Sequence, residues 1–262
     1  MANSKYEHVR KYELDDELLP GCYIVIRVDG KGFTKFSTLH NFEKPNDINA
    51  LLLMDEAAKA VLVDYPDIRI AFGQSDEYSF VLHKNTAIYG RRSSKLVSLI
   101  TSCFTSNYVR FWPQVMGEDR ALKCSPTFDG RAVLYPSEEL VKDYLSWRQV
   151  DTHINNQYNT CFWALVQQGN KTPAQAQEEL RGSDAEFKNE LLYSQFGINY
   201  NTLPEQFKKG SVVVMQRRKV VVKMTESGVP VEREKTEPTV LHCDIIRTEA
   251  GAFWAQNPDL LK

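Results

Sequence analysis

The sequence predicts an α+β fold: a palm or ferredoxin-like core, an appended helical region and a C-terminal β-ribbon. Three observations carry this prediction. Tyr23 to Val28 is a nearly all-apolar run, rich in β-branched residues, that stops at Asp29-Gly30, as a strand buried on both faces would. Ile68 to Leu82 holds two further strand-like runs around Gly73-Gln74-Ser75-Asp76, which reads as a β-hairpin with Asp76 and Glu77 at its tip. Apolar residues recur at helical spacing between and after these runs, so the order is strand, helix, strand, strand, helix, strand.

The first elements follow from local signals. Before Gly21 the chain is polar, and Tyr6 to Glu17 reads as a short helix. Beyond the first strand, Asp47 suits the N-cap of a helix. Its apolar face would be Ile48, Leu51, Leu52, Ala58, Val61 and Leu62, and it should cross back over the sheet. A second helix is expected from about Arg91 to Tyr108, burying Leu96, Ile100, Cys103, Phe104 and Asn107. Arg91, Arg92 and Lys95 would sit in its first turn, where each cation opposes the helix dipole by about 0.3–1 kcal/mol. Anion binding would explain that cost; simple exposure would make it small. Phe128 to Tyr135 reads as a turn containing Asp129, then a fourth strand, and Pro136 closes the core.

From Ser137 the pattern turns helical. Ser137 caps one helix, and Asp151 begins or continues another with a buried stripe of Ile154, Tyr158, Cys161, Phe162 and Leu165. Thr172-Pro173-Ala174-Gln175 is a capping box, Ser183-Asp184-Ala185-Glu186 reads as a second, and Gly197 as a helix stop. Ser211–Met215 and Val220–Lys223 suggest the ribbon, and Glu226 to Pro238 a long exposed turn. The expected domains are 1–136, the palm-like core, and 137–262, the helical region and ribbon packing on it.

Composition narrows the function classes. With 262 residues, 42% hydrophobic and 25% charged, the chain suits an ordinary globular protein of one large domain or a domain with an appendage. No apolar run is long enough to span a bilayer, and the N-terminus lacks the apolar stretch of a secretory signal, so no membrane is expected among the partners. Five scattered cysteines, with no Cys-x-x-Cys pair, argue against a disulfide framework or a zinc site and for the reducing cytoplasm or nucleus. The net charge of −2 singles out no polyanion. Lys84 to Lys123, however, carries seven basic residues against Glu118 and Asp119, which suits a nucleic-acid or triphosphate site, and equally a solvated helix face.

The chemistry-bearing candidates are acids. Asp29 and Asp76 end strands that could lie side by side, with Glu77 next to them. Oxygen ligands favour magnesium, which uses one or two carboxylates plus substrate phosphates, and paired ions suit the attacking and leaving oxygens of a displacement. Backbone N–H groups from Gly30 to Thr34 could cradle a phosphate. The same acids also suit ordinary turns. No histidine pair has metal-ligand spacing. His153 stands among Asn155, Asn156 and Asn159, groups that can read base edges or hold a phosphate, or simply bond helices together. No P-loop, nucleophile elbow or dinucleotide-binding glycine pattern occurs.

The chain resembles the eukaryotic histidine-tRNA guanylyltransferase family. The matching blocks are Arg27-Val28-Asp29-Gly30, His40-Asn41-Phe42-x-Lys44-Pro45-Asn46-Asp47, Gly73 to Phe80, Phe128-Asp129-Gly130-Arg131, Asp143 to Gln149, His153-Ile154-Asn155-Asn156 and Leu241 to Ile246. The resemblance implies a polymerase-like palm that adds a guanylate to the 5′ end of histidine tRNA, with ATP and GTP as substrates and two magnesium ions. Asp29 and Asp76 would ligate by side chain and Gly30 by its carbonyl, with Glu77 a supporting catalytic acid. Asp29, Gly30, Lys31, Gly32, Phe33, Thr34, Ser75 and Asp76 would hold the nucleotide. Lys44, Asn46, Arg92 and Lys95 would bind a second triphosphate. His153, Asn155 and Asn156 would mark commitment to histidine tRNA, and the enzyme would be a homotetramer. Within the same fold the alternative is a template-dependent tRNA 5′-end repair polymerase. A nucleotide cyclase or a non-catalytic RNA-binding protein would be further departures.

Overall fold

In the computed structural model, which describes residues 4–224, 230–246 and 252–262, strand β1 (Tyr23–Gly30) is the centre of the packing. Successive side chains of a strand point to opposite faces. Ile24, Ile26 and Val28 therefore meet α2 (Ile48–Asp64) and α3 (Ser93–Met116) on one side. Tyr23 and Val25 meet Val141, Tyr144 and Leu145 of α4 (Glu138–Gln167) on the other.

Strands β2 (Ile68–Gln74), β3 (Glu77–Leu82), β4 (Phe128–Tyr135), β5 (Ser211–Met224) and β6 (Pro230–Leu241) complete one sheet of order β4-β1-β3-β2-β5-β6. Every neighbouring pair is antiparallel. The first four strands, with α2 and α3 on one face, have the ferredoxin-like arrangement. The ribbon is continuous with the core sheet: Val213, Val212 and Ser211 pair with Ala71, Phe72 and Gly73.

The ends of the core helices depart from the sequence reading. Asp47 caps α2, its carboxylate accepting from the Asn49 and Ala50 amides. The buried face starts later than expected, at Leu53 and Met54, while Ile48 and Leu52 are exposed and Leu51 lines a cleft rather than the core. Helix α3 starts at Ser93 and runs through Pro113 to Met116. Arg91 lies before it, buried, its guanidinium donating to the carbonyls of Leu18, Leu19, Cys22 and Thr86. The N-terminal segment has a 3-10 turn at Glu7–Tyr12 rather than a helix to Glu17.

In the second half, Asp151 continues one 30-residue helix, α4, capped by Ser137. Ile154 is exposed rather than part of the buried stripe. The far half of α4 packs with α5 (Pro173–Leu180) and α6 (Ala185–Phe196) around a separate cluster containing Cys161, Leu165, Leu180 and Leu192. Thr172 forms its capping box and Gly197 ends α6 in the left-handed conformation, but the cap of α6 is Asp184, not Ser183.

The two short strand runs after Gly210 are one strand, β5, paired with β6 from Pro230 onward. Beyond Val213 β5 pairs with β6 alone, and charged residues such as Arg217 and Arg218 are exposed without interrupting the pair. Residues 230–238 of the expected turn are strand; its remaining part, 226–229, lies outside the described residues.

Two buried polar groups tie segments distant in sequence together, the first across to the core and the second within the C-terminal part. Asp55 of α2 accepts from the Tyr78 hydroxyl at 2.8 Å, and from Gln206 and Ser211 at 3.0 Å each. The Gln149 amide of α4 donates to the carbonyls of Lys209 and Cys243 and accepts from the Ile245 amide. No described helix is long and apolar enough to cross a membrane.

Candidate active site

The candidate site forms where β1 ends beside the β2–β3 hairpin. Asp29 pairs in register with Glu77 of β3 on one side and Asp129 of β4 on the other. Cross-strand partners project to the same face, so three carboxylates stand in a row on the α4 side. Asp129 is thus a strand residue rather than a turn residue. Its Asp-Gly context hid this, because Gly130 lies in the strand against Thr101 of α3, where a side chain would not fit.

The hairpin tip brings Asp76 to this row. Ser75 adopts a positive φ of 50°, as a tight two-residue hairpin loop requires, and its hydroxyl donates to Asp76 Oδ1 at 3.0 Å. The Gly30 amide donates to the Asp76 carbonyl at 3.0 Å and the Lys31 amide to the Thr127 carbonyl at 2.8 Å. These two amides are therefore committed to the fold, which restricts any backbone phosphate cradle to Gly32, Phe33 and Thr34. Gly32, in the left-handed conformation, precedes α1 (Phe33–Leu39), whose start has no side-chain cap.

A cleft of about 410 Å³ opens here. Its lining includes Phe33, Thr34, Lys44, Asn46, Ser75 and Asp76, together with Tyr108, Phe162 and Trp163. A smaller cavity shares Asn46 and Ser75 and adds Asn155 and Asn156 from α4. Lys44 donates to the Ser37 hydroxyl at 3.0 Å and lies 5.9 Å from the Trp163 ring. Burial pushes its pKa down, while Asp47 and Asp76 oppose the shift.

Electrostatics single out Asp76. Burial raises its pKa, and the Asp29 charge raises it further, with Lys44 acting in the opposite direction. Glu77 is also raised by burial, opposed by Arg148 and Arg27. Arg148 donates to both Glu77 oxygens at 3.2 Å and to Asp151 at 2.9 Å. Glu77 thus has its own cations, whereas Asp29 and Asp76 repel one another in a partly desolvated place. An all-oxygen donor pair under such repulsion fits magnesium, which takes one or two carboxylates. Among the described residues there is no cluster of three or more His, Cys, Asp or Glu arranged to hold a metal, so the fit rests on Asp29, Asp76 and the Gly30 carbonyl.

The remaining candidates divide. Asn156 is buried, accepting from Asn46 at 2.9 Å and donating to the Tyr200 hydroxyl at 3.0 Å; its amide joins the cleft loop to the helical region. His153 is exposed and packs edge-on to Tyr200, its pKa lowered by partial burial and by Lys208. Arg92 and Lys95 line neither cavity. Arg92 is paired with Asp16 at 3.2 Å, and Asp16 also accepts from the Ser94 amide. The anion at the start of α3 is therefore supplied by the chain itself, which sequence spacing could not reveal. Lys95 lies 5.9 Å from the Tyr89 ring. Tyr108, Phe162 and Trp163, cleft residues that the sequence reading missed as such, carry a helical core pattern that hides their role.

Comparison with known proteins identifies the family. Residues 6–136 match the family model described as tRNAHis guanylyltransferase, and residues 139–247 match the Thg1 C terminal domain. A Dictyostelium discoideum protein named probable tRNA(His) guanylyltransferase is 51% identical over 261 residues, covering 100% of this chain and 99% of its own. The crystal structure of the Saccharomyces cerevisiae tRNA(His) guanylyltransferase superposes with a TM-score of 0.77 at 50% identity, over 80% of this chain and 93% of that one. A bacterial Thg1-like protein solved in complex with ATP shares the fold at 19% identity and a TM-score of 0.71, over 99% and 97% of the two chains. The chain belongs to the tRNA(His) guanylyltransferase family of nucleotidyltransferases.

Proposed function

We propose that the protein adds a guanylate to the 5′ end of histidine tRNA in the 3′-to-5′ direction. The observation that carries this reading is the backbone bond from Gly30 to Asp76, which joins the strand end carrying Asp29 to an acid that lines a cleft containing Lys44 and Asn46. In this reading the tRNA 5′-monophosphate attacks the α-phosphorus of ATP, expelling pyrophosphate and leaving an adenylylated end. The GTP 3′-hydroxyl then attacks the activated 5′-phosphorus and releases AMP. Hydrolysis removes pyrophosphate from the added guanylate.

The chain's own residues do the positioning. Lys44, partly desolvated and close to Asp76, offsets triphosphate charge. The 32–34 amides point a helix start at phosphate. The Arg148–Glu77 pair fixes the floor beside Asp29. Magnesium, held by Asp29, Asp76 and the Gly30 carbonyl, would supply positive charge against phosphate oxygens. Orientation of two nucleotides and an RNA end in one cleft accounts for much of the acceleration such sites achieve. His153 and Asn155, exposed on α4, favour histidine tRNA over general end repair, while buried Asn156 holds their segment to the cleft loop, and a homotetramer in the cytoplasm or nucleus completes the reading.

The test supplies 5′-monophosphorylated histidine tRNA, ATP, labelled GTP and magnesium, with phenylalanine tRNA as control. Label on histidine tRNA alone, abolished by chelation and by Asp29→Asn or Asp76→Asn with folding intact, is expected. Equal labelling of both tRNAs would replace the reading with end repair, and full activity in both variants would overturn the acid assignment.

A further inference from the structure

We propose that the indole of Trp147 is a stacking platform for an unpaired base at or next to the 5′ end of the RNA. This inference rests on the tRNA reading above. Trp147 is 55% exposed on α4, an unusual place for the side chain with the largest apolar surface. It is not loosely exposed. The Arg148 guanidinium lies 3.8 Å from its ring centroid, and Tyr144 packs edge-on at 6.1 Å. Arg148 is in turn fixed by both oxygens of Glu77 and by Asp151, and Tyr144 by the Ser79 hydroxyl at 2.7 Å. The ring is therefore backed on one side and open on another, at little entropic cost to a ligand.

Its position gives the occupant. Glu77 is the register partner of Asp29, so the platform is one ion pair away from the candidate acids. Tyr144 and Arg148 reach the β1 and β4 half of the sheet, through Tyr135 at 5.2 Å and through Arg27, which lies 3.8 Å from Glu77. There the α4-side residues of β4, Asp129 and Arg131, are exposed. The sheet thus offers an exposed strip beside Asp29 that carries Arg131, whose guanidinium donates to Asp129 at 3.2 Å, and the indole is joined to that strip through Tyr144 and Tyr135. A flat π-face beside a cation suits a nucleobase with its phosphate, whatever the base. Val150 and Ile154, both exposed, continue the same side of α4 toward the His153–Asn156 segment.

The experiment uses the full chain with Trp147→Ala and Trp147→Phe. In Trp147→Ala, KM for 5′-monophosphorylated histidine tRNA should rise about tenfold, as loss of one stacked base predicts, while KM for GTP stays at the wild-type value. Trp147→Phe, which keeps a ring, should recover most of the loss. An unchanged KM for tRNA in Trp147→Ala overturns the proposal. So does a rise in KM for GTP instead, or a change in oligomeric state without RNA, which would make this face a contact between copies. Should wild type label no tRNA, the functional reading falls on its own. The platform is then decided by titrating a short single-stranded 5′-phosphorylated RNA against intrinsic fluorescence. Quenching diminished in Trp147→Phe supports it, and identical quenching overturns it.

Discussion

The Gly30 amide donates to the Asp76 carbonyl at 3.0 Å, which locks the end of one strand to the tip of a hairpin some 46 positions later. Room for this contact depends on residue 30 having no side chain, since a Cβ there would meet the Phe33 ring at 2.3 Å. Phe33 stacks on Phe36 and lines the cleft. Gly30→Ala should therefore destabilise by about 1–3 kcal/mol, the usual cost of overpacking, and lower guanylate addition by displacing Phe33. Thermal melting and the labelling assay check both; an unaltered assay would remove Phe33 from the site.

The Arg148–Glu77 pair is nearly buried, with side chains 7% and 12% exposed. Removing one partner leaves the other charge desolvated, which typically costs about 3–5 kcal/mol. Arg148→Ala should show a loss of that order in urea denaturation. Arg148→Ala with Glu77→Gln should be less damaging than the sum of the two single changes. Additive losses would mean that the two side chains act separately.

Asp55 gives the fold a pH dependence. Burial, opposed by its hydrogen bonds to Tyr78 and Ser211, raises its pKa from 3.8 to about 6. The folded chain therefore holds this proton more tightly than the unfolded chain does. The resulting stability is fully present below pH 3.8 and is lost as pH rises through about 6. The shift corresponds to about 3 kcal/mol. Denaturation of wild type and Asp55→Asn at several pH values should show the difference moving by about that amount in favour of Asn between pH 4 and pH 7. A pH-independent difference would show that Asp55 keeps its ordinary pKa in the fold.

Asn156 uses both ends of its amide, accepting from Asn46 and donating to Tyr200. Asn156→Ala leaves both partners short of a bond and should cost about 1–3 kcal/mol. Because Asn46 lines the cleft, KM for the nucleotide triphosphates should rise as well. Tyr200→Phe removes only the far partner and should do less on both measures. If the two variants behave alike in KM, the Asn46 contact contributes nothing to the cleft.

Much of this was legible along the chain because it depends on near neighbours. The apolar, β-branched run into Asp29, the hairpin around Ser75, the caps at Asp47, Ser137 and Thr172, and the stop at Gly197 are all set by local sterics and backbone hydrogen bonding. The family blocks lie in those same segments, so the acids and the cleft loop could be named from sequence. Other features arise between segments and have no local signature. Asp129 looked like a turn residue because only register with β1 places it opposite Asp29. Arg92 looked like a ligand for an external anion because nothing nearby in sequence announces Asp16. The ribbon looked like two short strands and a turn because its middle carries charge, and Arg217, Arg218 and residues 233–236 are exposed there, where a core strand would be buried. Periodicity records which residues leave water; which charges meet once they have done so was decided by the packing of the sheet against α4.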